Sequence, residues 1–201
     1  VAGVEACFEA ILSTSTEVYR REILSQIPDG TYVWEDYAEH DGVEEPKLHR
    51  QRITLTMDSA AEVPLVIDFT GTGPQAKGPI NHCGDYADGN FLKKWLAPIL
   101  RNLAETPERM AQLDDKEGVV PLIEMRFPEK GTLLTPIFPA PTNARTFVIL
   151  RLLGVLAGVR AKAPGAHMPA DQETIRYTGV YGTDLDGQPY LMREVLGGGS
   201  G

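Results

Sequence analysis

The residues best suited to chemistry lie in one short run, Asn81-His82-Cys83-Gly84-Asp85. A histidine titrates near neutral pH and can relay protons, and a carboxylate such as Asp85 can orient its ring. Cys83 would act as a thiolate only if its pKa were lowered. The side-chain amide of Asn81 can make a polar contact to a bound molecule. The run therefore predicts His82 as catalytic and Asn81 as substrate-binding, with a structural role for His82 as the alternative.

Two arginines are further candidates for binding a substrate. Arg145 follows Asn143 at the start of an apolar segment, and Arg193 lies in the last predicted strand. A guanidinium group can hold a carboxylate through two parallel hydrogen bonds. Either arginine could equally bridge subunits or pair with one of the 28 acidic residues. We predict Arg145 and Arg193 as substrate-binding residues, with these structural roles left open.

Motifs for metals and nucleotides are missing from the sequence. The stretch 35–42 contains carboxylates and a histidine but has no recognised ligand spacing, so a solvated turn is the preferred interpretation. The run 184–187 resembles the start of a calcium loop but lacks its later ligands, which favours a hairpin turn. No phosphate-binding loop, dinucleotide fingerprint, nucleophile elbow or His-Glu-x-x-His motif occurs. We therefore predict no metal ligands here and no ATP binding by these residues alone.

The candidate run follows a strand and a long loop. Val63, Leu65, Ile67 and Phe69 alternate with other residues, which is the period of a half-buried strand. Glycines and prolines then fill residues 71–79 and prevent a regular element. Irregular loops that leave a buried strand often carry binding residues, because the strand fixes their starting point. A packed corner without a binding role is the alternative.

The rest of the chain predicts an α+β fold with mixed, largely antiparallel strands and three main helices. Helical spacing of apolar residues indicates the helices, and alternation or β-branched content indicates the strands. The strand at 48–57 and the one at 63–69 form a predicted antiparallel hairpin. No clear linker divides the chain, so residues 1–201 are predicted to form a single α+β unit. The predicted helices are 4–27, 91–103, 107–113 and 143–159, and the remaining strands are 31–37, 119–127, 174–181 and 189–196.

Composition excludes several classes of function. Hydrophobic residues make up 42% of the chain and charged residues 23%, which argues against disorder. A net charge of -9 disfavours a nucleic-acid partner, which requires a basic face. Arg151 interrupts the most apolar run, so we expect no membrane segment. Cys7 and Cys83 are far apart in sequence and suggest no disulfide framework, which is consistent with a cytoplasmic protein.

Four segments, in order, resemble successive blocks of the hydantoinase B/oxoprolinase family. They cover much of the chain, and four ordered blocks are more specific than one glycine motif. Since members of this family are much longer, the chain is expected to be a central fragment of such a subunit. The segments are IPDGTYVWEDYAEHDG at 27–42, IDFTGTGPQAKGPIN at 67–81, KGTLLTPIFPAPTNARTFVILRLLGVLAG at 130–158 and DGQPYLMREVLGGGSG at 186–201.

The resemblance implies a B-type subunit that acts in a hetero-oligomer with a larger hydantoinase A-like subunit, which binds ATP. Family members open cyclic amides such as hydantoins, 5-oxoproline or lactams, and relatives carboxylate ketones such as acetone or acetophenone. They bind a divalent metal through His and Asp residues in an N-terminal part that nothing here matches. Cyclic-amide hydrolysis is the leading expectation and ketone carboxylation the alternative. A second alternative is a subunit-docking module without catalytic residues, and we expect the isolated chain to be inactive.

Overall fold

The computed structural model describes residues 2–101, 103–104, 106–113, 117–163 and 175–197. By its internal contacts the chain divides into two compact units, Val1–Met168 and Pro169–Gly201. The prediction of a single unit over 1–201 stays a prediction, because the two units are described separately. Within the described residues, no helix is long and apolar enough to cross a membrane.

A four-stranded sheet organises the first unit. Its strands lie in the order β1-β2-β3-β4, with β1 and β2 antiparallel, β2 and β3 antiparallel, and β3 and β4 parallel. The predicted hairpin is therefore confirmed as the β2–β3 pair. The strands are β1 (Gly30–Ala38), β2 (His49–Met57), β3 (Leu65–Asp68) and β4 (Ile123–Arg126).

Helices precede the sheet, follow its third strand and pack on one of its faces. The short helix α3 begins at the predicted cap, where the Thr106 hydroxyl accepts a hydrogen bond from the Arg109 amide at 3.2 Å. The first helix continues into a π-helical turn, Tyr19–Ile23, and a 3-10 turn, Leu24–Gln26. The α-helices are α1 (Ala2–Val18), α2 (Asn90–Arg101), α3 (Pro107–Gln112) and α4 (Thr146–Ala161).

The core lies between the sheet and helix α4. Alternate residues of β2 are buried, as the period of a half-buried strand requires, and α4 packs against β1 and β2. Arg151 near the start of α4 donates to the Asp36 carboxylate on β1 at 3.0 Å, which fixes the helix along the sheet. The buried apolar residues described on the two elements are Ile53, Leu55 and Met57 of β2 and Val148, Ile149, Leu152, Val155, Leu156 and Val159 of α4.

The glycine-rich loop after β3 is attached to neighbouring segments by its backbone. The Gly73 amide donates to the Arg50 carbonyl at 2.8 Å, and the Gly73 carbonyl accepts from Leu133 at 3.1 Å. Further along, the His82 amide donates to the Leu133 carbonyl at 2.8 Å. The loop is therefore held between the start of β2 and the segment around Leu133, which positions the predicted run 81–85.

The second unit contains an antiparallel hairpin of β5 (Ile175–Thr183) and β6 (Pro189–Gly197). Between the strands, the Asp184 carboxylate accepts hydrogen bonds from the amides of Asp186 at 2.9 Å and Gln188 at 2.8 Å. Gly187 has a φ of +75°, which glycine adopts without steric cost. The run 184–187 therefore forms the predicted hairpin turn.

The predicted fold class is confirmed. The structure has mixed helices and strands, an antiparallel-dominated pattern, and three helices of seven residues or more among those described. The first helix differs in one respect from a helix packed on a core. Its apolar residues Val4, Phe8 and Ile11 are exposed, and burial begins only at Ser15.

The close approach of the loop to Asp41 yields a stability test. A Cβ atom on Gly78 would lie 1.8 Å from the Asp41 carbonyl oxygen, so the backbone must move. We expect Gly78→Ala to lower the free energy of unfolding by about 2 kcal/mol or more, measured by chemical denaturation.

The matched control for this substitution is Gly3→Ala, since a Cβ at Gly3 meets no atom within 4 Å. Gly3 lies in α1, where alanine is the better helix former, so the control should keep or slightly raise stability. Equal stability of Gly78→Ala and the unaltered chain would contradict the close approach of the two backbones.

Candidate functional site

Asn81 is fully buried. Its side chain is hydrogen-bonded to backbone groups of the glycine-rich loop and to the segment before α4. Its Oδ1 accepts from the Ala76 amide at 2.8 Å. Its Nδ2 lies within hydrogen-bonding distance of the carbonyls of Ala76 at 2.9 Å, Gly78 at 3.1 Å and Pro141 at 3.0 Å. Both polar atoms therefore have backbone partners, and this gives Asn81 a clear role in shaping the loop. Its predicted contact with substrate stays a prediction.

Asp41 holds the same loop from the other side. Its carboxylate accepts hydrogen bonds from the amides of Glu44 at 2.9 Å, Val43 at 3.0 Å and Gly78 at 2.9 Å, although the residue is only 3% exposed. These backbone N–H groups, those of Glu44 and Val43 above all, hold the pKa of Asp41 well below its usual range. The carboxylate is therefore ionised at neutral pH and acts as a structural anchor.

His82 lies in this loop with its ring almost completely buried. It is 4% exposed, and neither Nδ1 nor Nε2 has a hydrogen-bond partner among the residues that the structure describes. Burial above all, together with the positive charge of Arg145, lowers the pKa of His82 to about 4, while the negative charge of Asp85 opposes the shift. At neutral pH the ring is thus neutral, with one free donor and one free acceptor nitrogen.

The surface beside His82 is aromatic and carries charged groups. The Phe91 ring lies 6.1 Å from the His82 ring and 5.9 Å from the Trp95 ring, measured between centroids, and both aromatic residues on α2 are partly exposed. Cys83 is an exposed free thiol. Asp85, predicted to orient His82, forms an ion pair with Lys130. No described hydrogen bond joins Asp85 to His82, so it affects the ring through its charge.

Two further buried polar residues lie on β2. His49 is 4% exposed and Gln51 is 0% exposed. Within the described part of the chain, neither His49 Nε2 nor either amide atom of Gln51 has a hydrogen-bond partner. Burial lowers the pKa of His49, against the effect of Asp41. In the sequence, Gln51 shares the alternation of Ile53, Leu55 and Met57, but it was not among the predicted site residues. The available signal was a polar residue at a position that the strand period buries.

The loop does not offer its amides to a phosphate group. The N–H groups of Thr72, Gly73 and Gln75 donate to the carbonyls of Phe69, Arg50 and Gly131. Those of Ala76 and Gly78 donate to the side chains of Asn81 and Asp41. A phosphate-binding loop requires free N–H groups directed at the ligand. The described residues of this loop therefore do not fit the triphosphate of ATP.

The described residues contain no group of three or more His, Cys, Asp or Glu side chains placed to hold a metal ion. Within the acidic stretch 35–42, Asp36 is paired with Arg151 and Asp41 with backbone amides. These carboxylates have structural partners. The described residues thus do not fit the divalent metal that the resemblance implies.

The structure brings three of the four predicted site residues to one region. Asn81 and His82 are adjacent, Asn81 contacts the Pro141 carbonyl, and Arg145 affects His82 through its charge. The Ala144 amide donates to the Pro79 carbonyl at 2.9 Å, which ties the start of α4 to the loop. Arg193 lies exposed in the second unit, on β6 opposite Gly179.

These features define an α+β protein. Its candidate site is a glycine-rich loop that Asn81 and Asp41 hold by hydrogen bonds, with the buried neutral ring of His82 beside the start of α4. The Hydantoinase B/oxoprolinase family matches the chain over residues 1–201. The chain belongs to this family, as the four sequence blocks suggested.

Two comparisons with individual proteins give the extent of the match. The chain is 32% identical over 148 residues to the B-type subunit of a putative D-/L-hydantoinase of Pseudomonas sp. (strain NS671), covering 71% of this chain and 23% of that protein. It resembles the nucleotide-free structure of an acetone carboxylase with a TM-score of 0.62 at 13% identity, covering 90% of this chain and 24% of the other. The latter similarity concerns the fold. The chain spans about a quarter of the length of either protein.

The buried ring of His82 predicts a pH-dependent loss of stability. Its pKa in the folded chain, about 4, lies below the ordinary value of 6.5, so between these values the unfolded chain binds the extra proton. The His82 contribution to stability is therefore full above pH 6.5 and decreases as the pH falls towards 4. We expect a total loss of about 3 kcal/mol from this group, measured by denaturation at several pH values.

Substitution of His82 separates this effect from other titrations. His82→Gln and His82→Leu should both flatten the decrease between pH 6.5 and 4, since neither side chain titrates. His82→Gln keeps a polar side chain whereas His82→Leu does not, so the same flattening in both variants assigns the decrease to the titration of the ring. If the free energy of unfolding of both His82 variants depended on pH as in the unaltered chain, the ring would not be held neutral in the folded state.

Proposed function

We propose that this chain is the central part of a subunit of an ATP-dependent enzyme that hydrolyses cyclic amides such as hydantoins, 5-oxoproline or lactams. The observation that supports this most strongly is the family match over the whole chain. The relative named as a hydantoinase component adds support for a cyclic amide as the substrate class. The proposed enzyme is cytoplasmic and hetero-oligomeric, with a hydantoinase A-like partner subunit.

His82 is the proposed catalytic residue of this chain. Its neutral ring offers one donor and one acceptor nitrogen, and neither is used within the described residues. An amide inside a five- or six-membered ring is held in the cis form and presents its N–H and C=O on one side. The acceptor nitrogen of His82 can take a proton from the attacking water as the O–C bond forms. The imidazolium formed in this way can then donate a proton to the ring nitrogen as the C–N bond breaks, so His82 acts first as general base and then as general acid. Contact with a substrate requires the covering side chains, such as Phe91, to move aside.

The other proposed site residues differ in how the structure supports them. Arg145 is exposed beside the loop and is suited to hold an anionic group, either the carboxylate of 5-oxoproline or the acid formed by ring opening. For Asn81 we propose that the site depends on the loop shape that its amide maintains. Arg193 is exposed on the hairpin and remains a proposed substrate contact.

ATP and a divalent metal are proposed to act elsewhere in the complex. Five amides of the loop already donate to other groups, and the described residues hold no metal-ligand group. No step of the reaction is therefore assigned to ATP or to a metal on this chain. The partner subunit is proposed to bind ATP, and the metal is proposed to bind outside these residues. When bound, ATP supplies the energy for opening a stable amide.

Activity measurements on the complex test this function. The B-type subunit containing this chain and its A-type partner would be purified together and given hydantoin, 5-oxoproline, a lactam, or acetone with bicarbonate. ADP release and ring-opened product would be measured together. We expect a cyclic amide to stimulate ATP consumption in proportion to ring opening.

Three other outcomes are informative. ATP consumption stimulated by a ketone with bicarbonate, but by no cyclic amide, would favour the carboxylase. Absence of substrate-stimulated ATP consumption would contradict both enzymatic readings and favour a subunit-docking module. We expect no turnover from the 201-residue chain alone, since enzymes must lower barriers by roughly 8 kcal/mol or more and this chain offers few groups for that. Turnover by the chain alone would contradict the division of labour between subunits.

Substitutions in the active complex test the residue roles. We expect His82→Gln to lower kcat about 100-fold, the smaller end of what a proton-transferring residue contributes. Arg145→Gln should raise KM for a carboxylate-bearing substrate more than for unsubstituted hydantoin. The controls are His40→Gln and Arg21→Gln, both at exposed positions and expected to retain activity. Unchanged kinetics in His82→Gln, with the fold intact by circular dichroism, would remove His82 from the mechanism.

A further inference from the structure

Helix α1 carries an exposed apolar surface. Its members recur at spacings of three and four, so they lie on one face of the helix. Val4 is 59% exposed, Phe8 62% and Ile11 56%, values far above those of core residues. We call this face the α1 stripe; it consists of Val4, Cys7, Phe8, Ile11 and Leu12.

Among the described residues, the contacts that attach α1 to the rest of the first unit come from its end. Ser15 and Val18 are buried, and the Thr16 hydroxyl donates to the Gly118 carbonyl at 2.8 Å. Residues 3–14 are all exposed. A helix of about a dozen residues is only marginally stable in water by itself. A contact that covers the stripe would therefore stabilise the helix as well as remove apolar surface from water.

The stripe has the shape expected of a helix-binding surface. A shallow concavity of about 480 Å³ lies along it, lined by Gly3, Val4, Cys7, Phe8 and Ile11. Gly3 has no atom within 4 Å of the position that a side chain would occupy, so a partner can approach the backbone there. Amphipathic helices commonly insert residues at this spacing into apolar grooves.

Charge determines which partner fits. Glu5 and Glu9 lie one turn apart and border the stripe on the side of Leu12, since successive residues are rotated by about 100°. The helix has no Lys, Arg or His between Ala2 and Val18. A second copy would therefore bring like charges together, and an anionic membrane surface would repel the same border. A partner with Lys or Arg beside its apolar residues forms opposite-charge pairs instead.

We propose that the α1 stripe docks an amphipathic helix bordered by Lys or Arg, contributed by a polypeptide segment outside these 201 residues. The matched hydantoinase component is several times longer than this chain, so such proteins contain ample further sequence to supply the segment. This docking does not depend on the reaction that the complex catalyses.

A designed peptide tests the chemistry of the proposed partner. The probe is an 18-residue fluorescent helix with leucines at spacings of three and four and lysines on both borders. Its control carries glutamate at every lysine position. We expect the lysine peptide to bind the 201-residue chain, measured by fluorescence anisotropy at physiological salt, and the glutamate peptide not to bind. Bound peptide should also slow alkylation of Cys7 relative to the exposed Cys83.

Three variants distinguish docking from attraction to an acidic protein. Ile11→Asp should lower the affinity of the chain for the lysine peptide about tenfold or more, as truncation of a central apolar anchor does. This loss is expected although the substitution adds negative charge. Ser13→Asp adds the same charge on the opposite side of the helix and should leave affinity nearly unchanged. The double variant Glu5→Lys/Glu9→Lys should prefer the glutamate peptide.

Several results would overturn the proposal. Equal binding by Ile11→Asp and the unaltered chain would show general electrostatic attraction. Self-association abolished by Ile11→Asp in analytical ultracentrifugation would identify a second copy as the occupant. Sedimentation of the chain with phosphatidylcholine vesicles, lost in the same variant, would identify a membrane. Circular dichroism would show whether each variant keeps the secondary structure of the unaltered chain. We expect Ile11→Asp to keep it, because Ile11 is exposed.

Discussion

The candidate site depends on two buried side chains that satisfy backbone groups of one irregular loop. Asn81 uses its amide and Asp41 its carboxylate to bind N–H and carbonyl groups that no strand or helix pairs. A buried backbone group without a partner costs free energy comparable to a lost hydrogen bond. Several such groups lie between Ala76 and Gly78, so the loop cannot be both buried and irregular without these partners. The closeness of Gly78 to Asp41 follows from the same constraint.

Rigidity of the loop has a consequence for His82. The backbone on both sides of the ring is held by hydrogen bonds. The His82 amide donates to the Leu133 carbonyl, and the Gly84 amide donates to the Leu134 carbonyl. The ring therefore remains buried, and the described residues offer it no hydrogen-bond partner. The cost of burying a charge is avoided because the ring stays neutral, which is why its pKa falls. An unsatisfied buried polar group is rare in folded proteins, and such groups are concentrated where function or ordered solvent explains them.

Two surfaces of the chain remain apolar outside this region. One is the α1 stripe, and the other is the β5–β6 hairpin, where Tyr181 is 81% exposed and Leu191 60%. Large exposed apolar side chains in a cluster indicate contacts with other protein surfaces. A two-stranded hairpin has little stability without such contacts. Both observations agree with a chain that spans only about a quarter of the length of its matched relatives.

Sequence patterns determined the fold class, the approximate positions of most strands and helices and the loop after β3, because apolar spacing reflects which face of an element is buried. They did not predict the π-helical turn Tyr19–Ile23 within the predicted helix 4–27, or the 3-10 turn Val120–Leu122 within the predicted strand 119–127. Ordered sequence blocks identified the family. The tertiary structure decided what sequence could not. The side chain of Asn81 is hydrogen-bonded to backbone groups, and His82 is buried and neutral. Among the described residues, His49 Nε2 and the amide of Gln51 have no hydrogen-bond partner. These properties depend on which segments meet in space, here the loop, the start of β2 and the approach to α4. Burial and hydrogen bonding between distant segments leave no periodic trace in sequence, whereas the faces of single helices and strands do.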